Sequence, residues 1–236
     1  MTTASGSASH AEGGNTIASG LTSHAEGAGT TASGNQSHAE GGGTTASKSC
    51  SHAEGGSTTA SGDFSHAEGA STTASSNSSH AEGSATIASG AYSHAEGEQT
   101  TALGQSSHAE GSSTNASGMY SHAEGSGTAA DGNVSHAEGS HTIAKGRSQH
   151  VFGEYNVADT NTSYAGARGT YIEIAGNGTA DNARSNVRTL DWTGNEWIRG
   201  NLKIGGSSYD DSNAKELATK EYVDAAIAQL RTLIAE

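Results

Sequence analysis

The sequence predicts an all-β fold in which the first two thirds of the chain form a parallel β-solenoid of 14-residue coils. The string SHAEG occurs ten times at a fixed interval of 14 residues, and a constant repeat period indicates stacked structural units. Only 31% of the 236 residues are hydrophobic and 34 are glycine, which argues against an ordinary globular core. The chain contains no proline, and this favours hydrogen-bonded strands over a flexible linker.

Each coil consists of two seven-residue halves with Ser or Thr, Ala and Gly at the first, third and fifth positions. Side chains alternate along a strand, so these small residues share one face. We therefore predict a thin interior of alanine methyls and hydroxyl groups, with turns made by the glycine and two variable residues. At roughly 4.8 Å per layer, ten coils would form a rod of about 50 Å. The strict register argues against a disordered or amyloid-like chain.

The charge and the cysteine content narrow the classes of function. The formal net charge is −14, and the single cysteine, Cys50, permits no internal disulfide. No apolar run approaches the roughly 20 residues of a membrane span, and Met1 is not followed by a secretory signal pattern. We expect a soluble chain with no cofactor, no nucleic-acid partner and no membrane insertion.

The repeat resembles the head of trimeric autotransporter adhesins of the YadA type. The resemblance rests on the S-x-A-x-G alternation and the 14-residue period, and it covers about residues 2–153. It implies a left-handed parallel β-roll that exists only as a trimer, with the two larger residues of each motif facing the threefold axis. Here those two positions are the His and Glu of SHAEG, whereas in the adhesins they are apolar.

The resemblance therefore implies a polar trimer axis. Its predicted residues are His10, Glu12, His24, Glu26, His38, Glu40, His52, Glu54, His66, Glu68, His80, Glu82, His94, Glu96, His108, Glu110, His122, Glu124, His136 and Glu138. His150, in the degenerate SQHVFG, keeps the same spacing.

Histidine is the main partner available to the glutamates of the repeat. Residues 1–146 contain thirteen acidic residues but only two cationic ones, Lys48 and Lys145. An unpaired carboxylate at a trimer axis would cost several kcal/mol, so we interpret the column as hydrogen bonds between His and Glu of different chains. Such pairing would lower the pKa of the glutamates and raise that of the histidines.

Two other interpretations of the same residues remain. His and Glu could lie on the solvent face, with the TTASG halves forming the seam between chains. Alternatively, transition-metal ions could occupy the axis, although ten identical sites would be unusual and we predict no metal. The candidate axial ligands are His66, Glu68, His80, Glu82, His94 and Glu96.

The larger side chains of the repeat occupy the turn after each TTASG half. Phe64, Tyr92 and Tyr120 recur every 28 residues, which would align them along one edge of the rod. A row of exposed aromatic rings could contact a partner, or it could fill a groove between protomers.

No catalytic residues are predicted. Tail spikes that cleave polysaccharide use two carboxylates at one singular site, whereas the glutamates of this repeat are equivalent. The acids that do not repeat, Asp63, Glu98 and Asp131, are scattered, and no nucleophile-elbow, phosphate-loop or CxxC motif is present.

The composition changes after the repeat and predicts two further regions. We expect a repeat domain over 1–153, a small β-rich region over 154–209 and a helix over 210–236. The segments TYIEIAG, VRTLDW and EWIRGNLKIGG predict short strands, Thr193 to Asn195 predicts a turn, and both tryptophans are expected to pack between chains. The helix carries a coiled-coil seam with 4-3-4 spacing, formed by Val223, Ile227, Leu230 and Ile234.

The C-terminal motifs indicate the biological context. The string ATKEYVDAAI resembles a helix that recurs in phage tail-fibre and related virion proteins, and RSNVRTLDWTGNEWIRGN is similar to segments of prophage structural proteins. These resemblances imply a homotrimeric, non-enzymatic fibre of a virion that contacts other virion proteins. Such a fibre would act as a spacer and could bind a bacterial surface receptor or glycan.

The sequence leaves three other interpretations of the whole chain open. A bacterial cell-surface adhesin of the autotransporter type would be expected to carry a secretory signal and a membrane anchor. A polysaccharide-cleaving tail spike and an engineered repeat protein are the others.

Overall fold

A computed structural model describes residues 1–199, and the predicted coiled-coil seam therefore lies outside the described residues. The described part is all-β, and it forms a parallel β-solenoid of about 11 coils. Met1–Glu196 make up one compact unit. No helix within residues 1–199 is long and apolar enough to cross a membrane.

Each coil contributes one strand to each of two parallel sheets. The SHAEG halves form the longer strands: β2 (His10–Gly14), β4 (His24–Ala28), β6 (His38–Gly42), β8 (His52–Ala53), β10 (His66–Ala70), β12 (His80–Ser84), β14 (His94–Glu98), β16 (His108–Ser112), β18 (His122–Ser126), β20 (His136–Ser140) and β22 (His150–Glu154). The other halves form the two-residue strands β1 (Thr3–Ala4), β3 (Ile17–Ala18), β5 (Thr31–Ala32), β7 (Thr45–Ala46), β9 (Thr59–Ala60), β11 (Thr73–Ala74), β13 (Ile87–Ala88), β15 (Thr101–Ala102), β17 (Asn115–Ala116), β19 (Ala129–Ala130) and β21 (Ile143–Ala144).

The stacking register equals the sequence period. His66 lies beside His80, Ala67 beside Ala81 and Glu68 beside Glu82, and the other SHAEG strands pair in the same way. Equivalent side chains therefore form straight columns along the solenoid.

The interior consists of small side chains, as predicted. Alanine occupies every seventh position from Ala18 to Ala144 and is fully buried at each of them. A buried methyl contributes roughly 0.8 kcal/mol, so this core is favourable but shallow. Buried Ser and Thr alternate between the alanines. Most hydroxyls of the Ser23 type donate to the backbone carbonyl three residues earlier, at 2.8 Å for Ser23 and Gly20.

Both turns of a coil place their second variable residue in the left-handed backbone region. Phe64, Tyr92 and Tyr120 have φ near +60°, and Asn15 of the opposite turn has φ of 58°. The amide of such a residue donates to a carbonyl of the preceding coil, as Phe64 N does to Ser49 O at 2.9 Å. Hydrogen bonds between coils therefore continue around the turns.

The glycine of SHAEG is required by its backbone. It has positive φ in every coil, +103° at Gly83, and an added Cβ there would lie 2.2 Å from the carbonyl oxygen of Gly97. This strict column keeps the coils in close contact along one edge.

The last coil is covered by a strand pair. The strand β23 (Tyr171–Asn177) adds in parallel to β22, and β24 (Asn186–Asp191) pairs antiparallel to β23. The strand β25 (Glu196–Ile198) follows a turn in which Gly194 N donates to Asp191 O. These three strands and the turn confirm the sequence prediction as far as Ile198, whereas the remainder of EWIRGNLKIGG from Gly200 lies outside the described residues.

Within one chain, Trp192 is partly buried and packs against Arg168, whose guanidinium carbon lies 4.8 Å from its ring centroid. Trp197 is half exposed. The predicted packing of the tryptophans between chains stays a prediction.

Polar side chains replace small ones where the solenoid ends. Gln149 stands in the Ser column and Asn156 in the Thr column, and both are buried. The Oε1 atom of Gln149 accepts from the amides of Lys145 and Gly146, whereas Asn156 bonds both backbone groups of Ile143. Because no further coil follows, these amide side chains satisfy backbone groups that a coil would otherwise pair.

Candidate functional site: the His–Glu stripe

The histidines and glutamates of SHAEG form a continuous stripe along the outer face of the longer strands. We call the columns His10 to His150 and Glu12 to Glu138 the His–Glu stripe. Along it, successive imidazole centroids are 4.7–5.1 Å apart, and most rings are parallel. A groove of about 820 Å³ runs along the Glu and Gly columns from Glu12 to Gly83.

Strand alternation places this stripe opposite the interior. In the central coil, Ser79 and Ala81 point inward and are buried, so His80 and Glu82 must point outward. Their side chains are nevertheless only about one third exposed, since equivalent side chains lie directly above and below them. The columns therefore shield each other from water within a single chain.

Each histidine beyond the first lies near the glutamate of the preceding coil. From His94 onward the pairs are hydrogen-bonded, with 3.2 Å between His94 Nε2 and Glu82 Oε1 and 3.1 Å between His108 Nε2 and Glu96 Oε1. The sequence interpretation assigned these hydrogen bonds to pairs between chains. In the structure, successive coils of one chain form hydrogen bonds of this kind. Pairing between chains stays a prediction.

The histidines from His24 to His80 lie farther from the carboxylates, at 3.8–3.9 Å. His52 Nε2 is 3.9 Å from both Glu40 Oε1 and Glu54 Oε2. Among the described residues, five Nε2 atoms of this part of the stripe are buried without a hydrogen-bond partner, and they belong to His24, His38, His52, His66 and His80.

The glutamates interact with each other as well as with histidine. Hydrogen bonds to the carboxylates of Glu68 and Glu40 raise the pKa of Glu54 to about 7, and the same contacts lower the pKa of Glu40 and Glu68. A carboxyl group that keeps its proton can donate to the carboxylates above and below it. Protons are therefore shared along the glutamate column.

The electrostatic expectation from the sequence is only partly met. Glu12, Glu40, Glu68, Glu96 and Glu124 have a lowered pKa. Hydrogen bonds with neighbouring glutamates are the leading cause at Glu12, Glu40 and Glu68, whereas at Glu96 and Glu124 burial opposes the lowering, and histidine contacts contribute at all five. The expectation is wrong for Glu26 and Glu54, whose pKa is raised by hydrogen bonds to neighbouring glutamates. It is also wrong for His38 and His66, whose pKa is lowered by burial and then by the adjacent histidines.

The stripe ends where the motif degenerates. Phe152 replaces the next glutamate, and Glu173 of β23 pairs with His150 in the place of the next histidine. Glu173 forms an ion pair with Arg188, which also contacts Glu196. The final strands therefore close the stripe with a cation, which the repeat itself does not supply.

The other predicted residues occupy separate places. Phe64, Tyr92 and Tyr120 all lie on the turn after the TTASG half and are exposed. Asp63 lies in the same row of turns, where its Oδ1 accepts from Ser49 N. Asp131 precedes the turn glycine Gly132, and its Oδ1 accepts from the Ser117 hydroxyl. Neither acid is brought next to the stripe to form a two-carboxylate site.

The sequence analysis missed the residues that terminate the solenoid. Asp159 is buried and accepts from the amides of Thr170 and Tyr171, and Gln149 links it to the last coil. The signal was present in the register, because Gln149 and Asn156 interrupt the Ser and Thr columns without shifting their phase.

No protein-family model matches the chain, and no curated protein matches it at a significant level.

Proposed function

We propose that the chain is a homotrimeric structural fibre protein of a bacteriophage or prophage-derived particle, serving as a spacer and as an element that contacts a bacterial surface receptor or glycan. The observation that carries the proposal is the uninterrupted register of about 11 coils, whose core consists mainly of alanines, one column from each sheet. A unit of this kind extends in one direction and provides length rather than an enclosed site.

The shallow core supports association of several chains. A column of alanine methyls buries little apolar area for each coil, so a single solenoid gains little stability from its own interior. Joining chains along the His–Glu stripe would bury these side chains completely, since they are only about one third exposed in the single chain. A threefold axis would also bring each glutamate close to histidines of the neighbouring chains.

The predicted C-terminal seam, at Val223, Ile227, Leu230 and Ile234, would set the register of the three chains. In this proposal Phe64, Tyr92 and Tyr120 form a row of rings on the outer edge, two coils apart, where a receptor or another virion protein could bind.

Sedimentation equilibrium at low micromolar concentration tests the assembly. A trimer should give about three times 23.4 kDa. A folded monomer, recognised by strand-rich circular dichroism at the monomer mass, would refute it. Gold-labelled antibody in electron microscopy then tests the location, since label on intact particles supports the fibre, whereas label on the bacterial surface would indicate an adhesin.

A further inference from the structure

The His–Glu stripe carries clusters in which three metal-ligating atoms converge within a single chain. In the cluster of His80, Glu82 and His94, the two imidazole nitrogens and one carboxylate oxygen all lie within 4.8 Å of one another. Equivalent clusters include His94, Glu96 and His108, and also His108, Glu110 and His122.

One ligand atom of the first cluster forms no hydrogen bond. His80 Nε2 is buried and lies 3.8 Å from Glu68 Oε1, whereas His94 Nε2 already lies 3.2 Å from Glu82 Oε1. A buried ring nitrogen without a hydrogen bond is costly, and a bound cation would remove that cost. This nitrogen and a carboxylate oxygen of Glu82 lie within 4.8 Å of each other.

The charge balance of the repeat favours an external cation. Within residues 1–199, each ion pair of a stripe glutamate has a histidine as its partner. The two lysines of the repeat belong to the same compact unit, within which they do not pair with these glutamates. A neutral imidazole does not cancel the charge of a carboxylate. Ten stacked glutamates therefore leave a line of negative charge along the stripe.

We propose that the His–Glu stripe binds divalent transition-metal ions such as Zn²⁺, each held by the histidine and glutamate of one coil and the histidine of the next. Two imidazoles, one carboxylate and a water molecule make a common tetrahedral set for Zn²⁺. Imidazole nitrogen selects Zn²⁺, Ni²⁺, Cu²⁺ and Co²⁺ over Mg²⁺ and Ca²⁺, which prefer oxygen ligands.

The geometry requires only a side-chain movement. Zn–N bonds of about 2.0–2.1 Å place two tetrahedral nitrogens about 3.4 Å apart, so stacked rings at 4.7 Å must tilt toward each other by roughly 1.3 Å. The backbone register stays unchanged, because rotation about the side-chain bonds supplies this movement.

Sharing of ligands sets the stoichiometry. Adjacent clusters have one histidine in common, as His94 is common to the clusters of Glu82 and Glu96, so neighbouring intervals cannot both be filled. Because each ion uses two of the eleven stripe histidines, the stripe would hold about five ions per chain, with successive ions two coils apart. This inference rests on one chain's residues and does not depend on the proposed fibre function.

The test is the number of Zn²⁺ ions retained by the full chain. The protein is refolded from urea with excess ZnCl₂, so that assembly does not block entry, and bound Zn²⁺ is measured after dialysis against buffer. We expect about five ions per chain, and Co²⁺ in place of Zn²⁺ should show the intense visible absorption of a tetrahedral site.

A triple variant and a matched control make the test specific. In Glu82→Gln/Glu96→Gln/Glu110→Gln, His94 and His108 each lose the carboxylate of their own coil and that of the preceding coil, so at least one ion per chain should be lost. The control Asp63→Asn/Glu98→Gln/Asp131→Asn removes the same charge outside the stripe and should keep the parental number. Circular dichroism confirms that both variants fold.

Three outcomes would overturn the proposal. These are fewer than one Zn²⁺ per parental chain, equal loss of Zn²⁺ in both variants, or Mg²⁺ that displaces Zn²⁺ at equal concentration.

Discussion

Gln149 and Tyr171 are joined by a hydrogen bond of 2.9 Å from Gln149 Nε2 to the carbonyl oxygen of Tyr171. The same side chain accepts from two backbone amides of the last coil, so one residue links that coil to the strand that covers it. The end of the solenoid is therefore held by a polar network rather than by a larger apolar core.

Replacing this residue should loosen the end of the solenoid. The variant Gln149→Met keeps the volume but leaves the amides of Lys145 and Gly146 without an acceptor, and we expect it to lower the free energy of unfolding by about 3 kcal/mol. Hydrogen exchange should become faster in β21 to β23. The exposed Gln105→Met variant is the control, and equal stability of the two proteins would contradict this role.

The glycine column offers a test of coil stacking. In Gly83→Ala the new methyl would meet the next coil at a backbone with φ of +103°, so the free energy of unfolding should fall by about 2–3 kcal/mol. Gly42 is equally exposed but has nothing within 4 Å of an added Cβ. Gly42→Ala should therefore change stability by less than about 1 kcal/mol, measured by urea denaturation. Similar losses in the two variants would refute the proposed contact.

The shared proton of the glutamate column predicts a pH dependence. The pKa of Glu54 is raised to about 7 by hydrogen bonds to Glu68 and Glu40, so its contribution is fully present below pH 4.5 and is lost as pH rises through 7. Glu54→Gln keeps a donor to both neighbours without titrating. The fall in melting temperature between pH 5.5 and pH 8 should be smaller in this variant than in the parent.

Two histidines add a second pH dependence of stability, at the acid end of the range from pH 5.5 to pH 8. The lowered pKa of His38 and His66 gives stability that is present above pH 6.5 and is lost as pH falls through the folded value. Because Glu54→Gln leaves these histidines in place, its acid limb should match that of the parent. The exposed Glu98→Gln variant controls for charge, and a flattened alkaline limb in that control as well would argue against a specific role of Glu54.

The aromatic turn residues can be tested for packing between protomers. Phe64, Tyr92 and Tyr120 hold φ near +60°, a conformation that asparagine adopts more readily, and each is more than half exposed in the chain. The triple Asn variant should therefore match or exceed the parental melting temperature. A fall of several degrees would place these rings between chains, and would favour the packing interpretation over a receptor contact.

The sequence was sufficient to predict the parts of the fold that follow from periodicity. A 14-residue interval and the alternation around Ala67 determine which side chains are buried and which residues lie above one another. The turn at Gly194 was also predictable, because Gly and Asn mark such positions.

The side-chain contacts within a column were harder to predict from the sequence. The period places His94 above His80, but it does not say whether its ring nitrogen lies nearer Glu82 or Glu96, since that depends on the side-chain tilt. The raised pKa of Glu54 likewise arises from contacts between identical residues of successive coils. The sequence interpretation paired Glu only with His and therefore overlooked carboxyl groups that bind each other.

The coil register also governs how such a rod can change in length. Every coil repeats the same glycine approach, the same alanine contact and the same ring spacing, so adding or deleting 14 residues alters the rod by about 4.8 Å and leaves both ends unchanged. An insertion of a single residue within a strand would instead turn alanines outward along that coil. The length of the solenoid therefore changes in steps of one coil, and duplication or loss of a DNA segment of 42 base pairs, which encodes 14 residues, preserves the register.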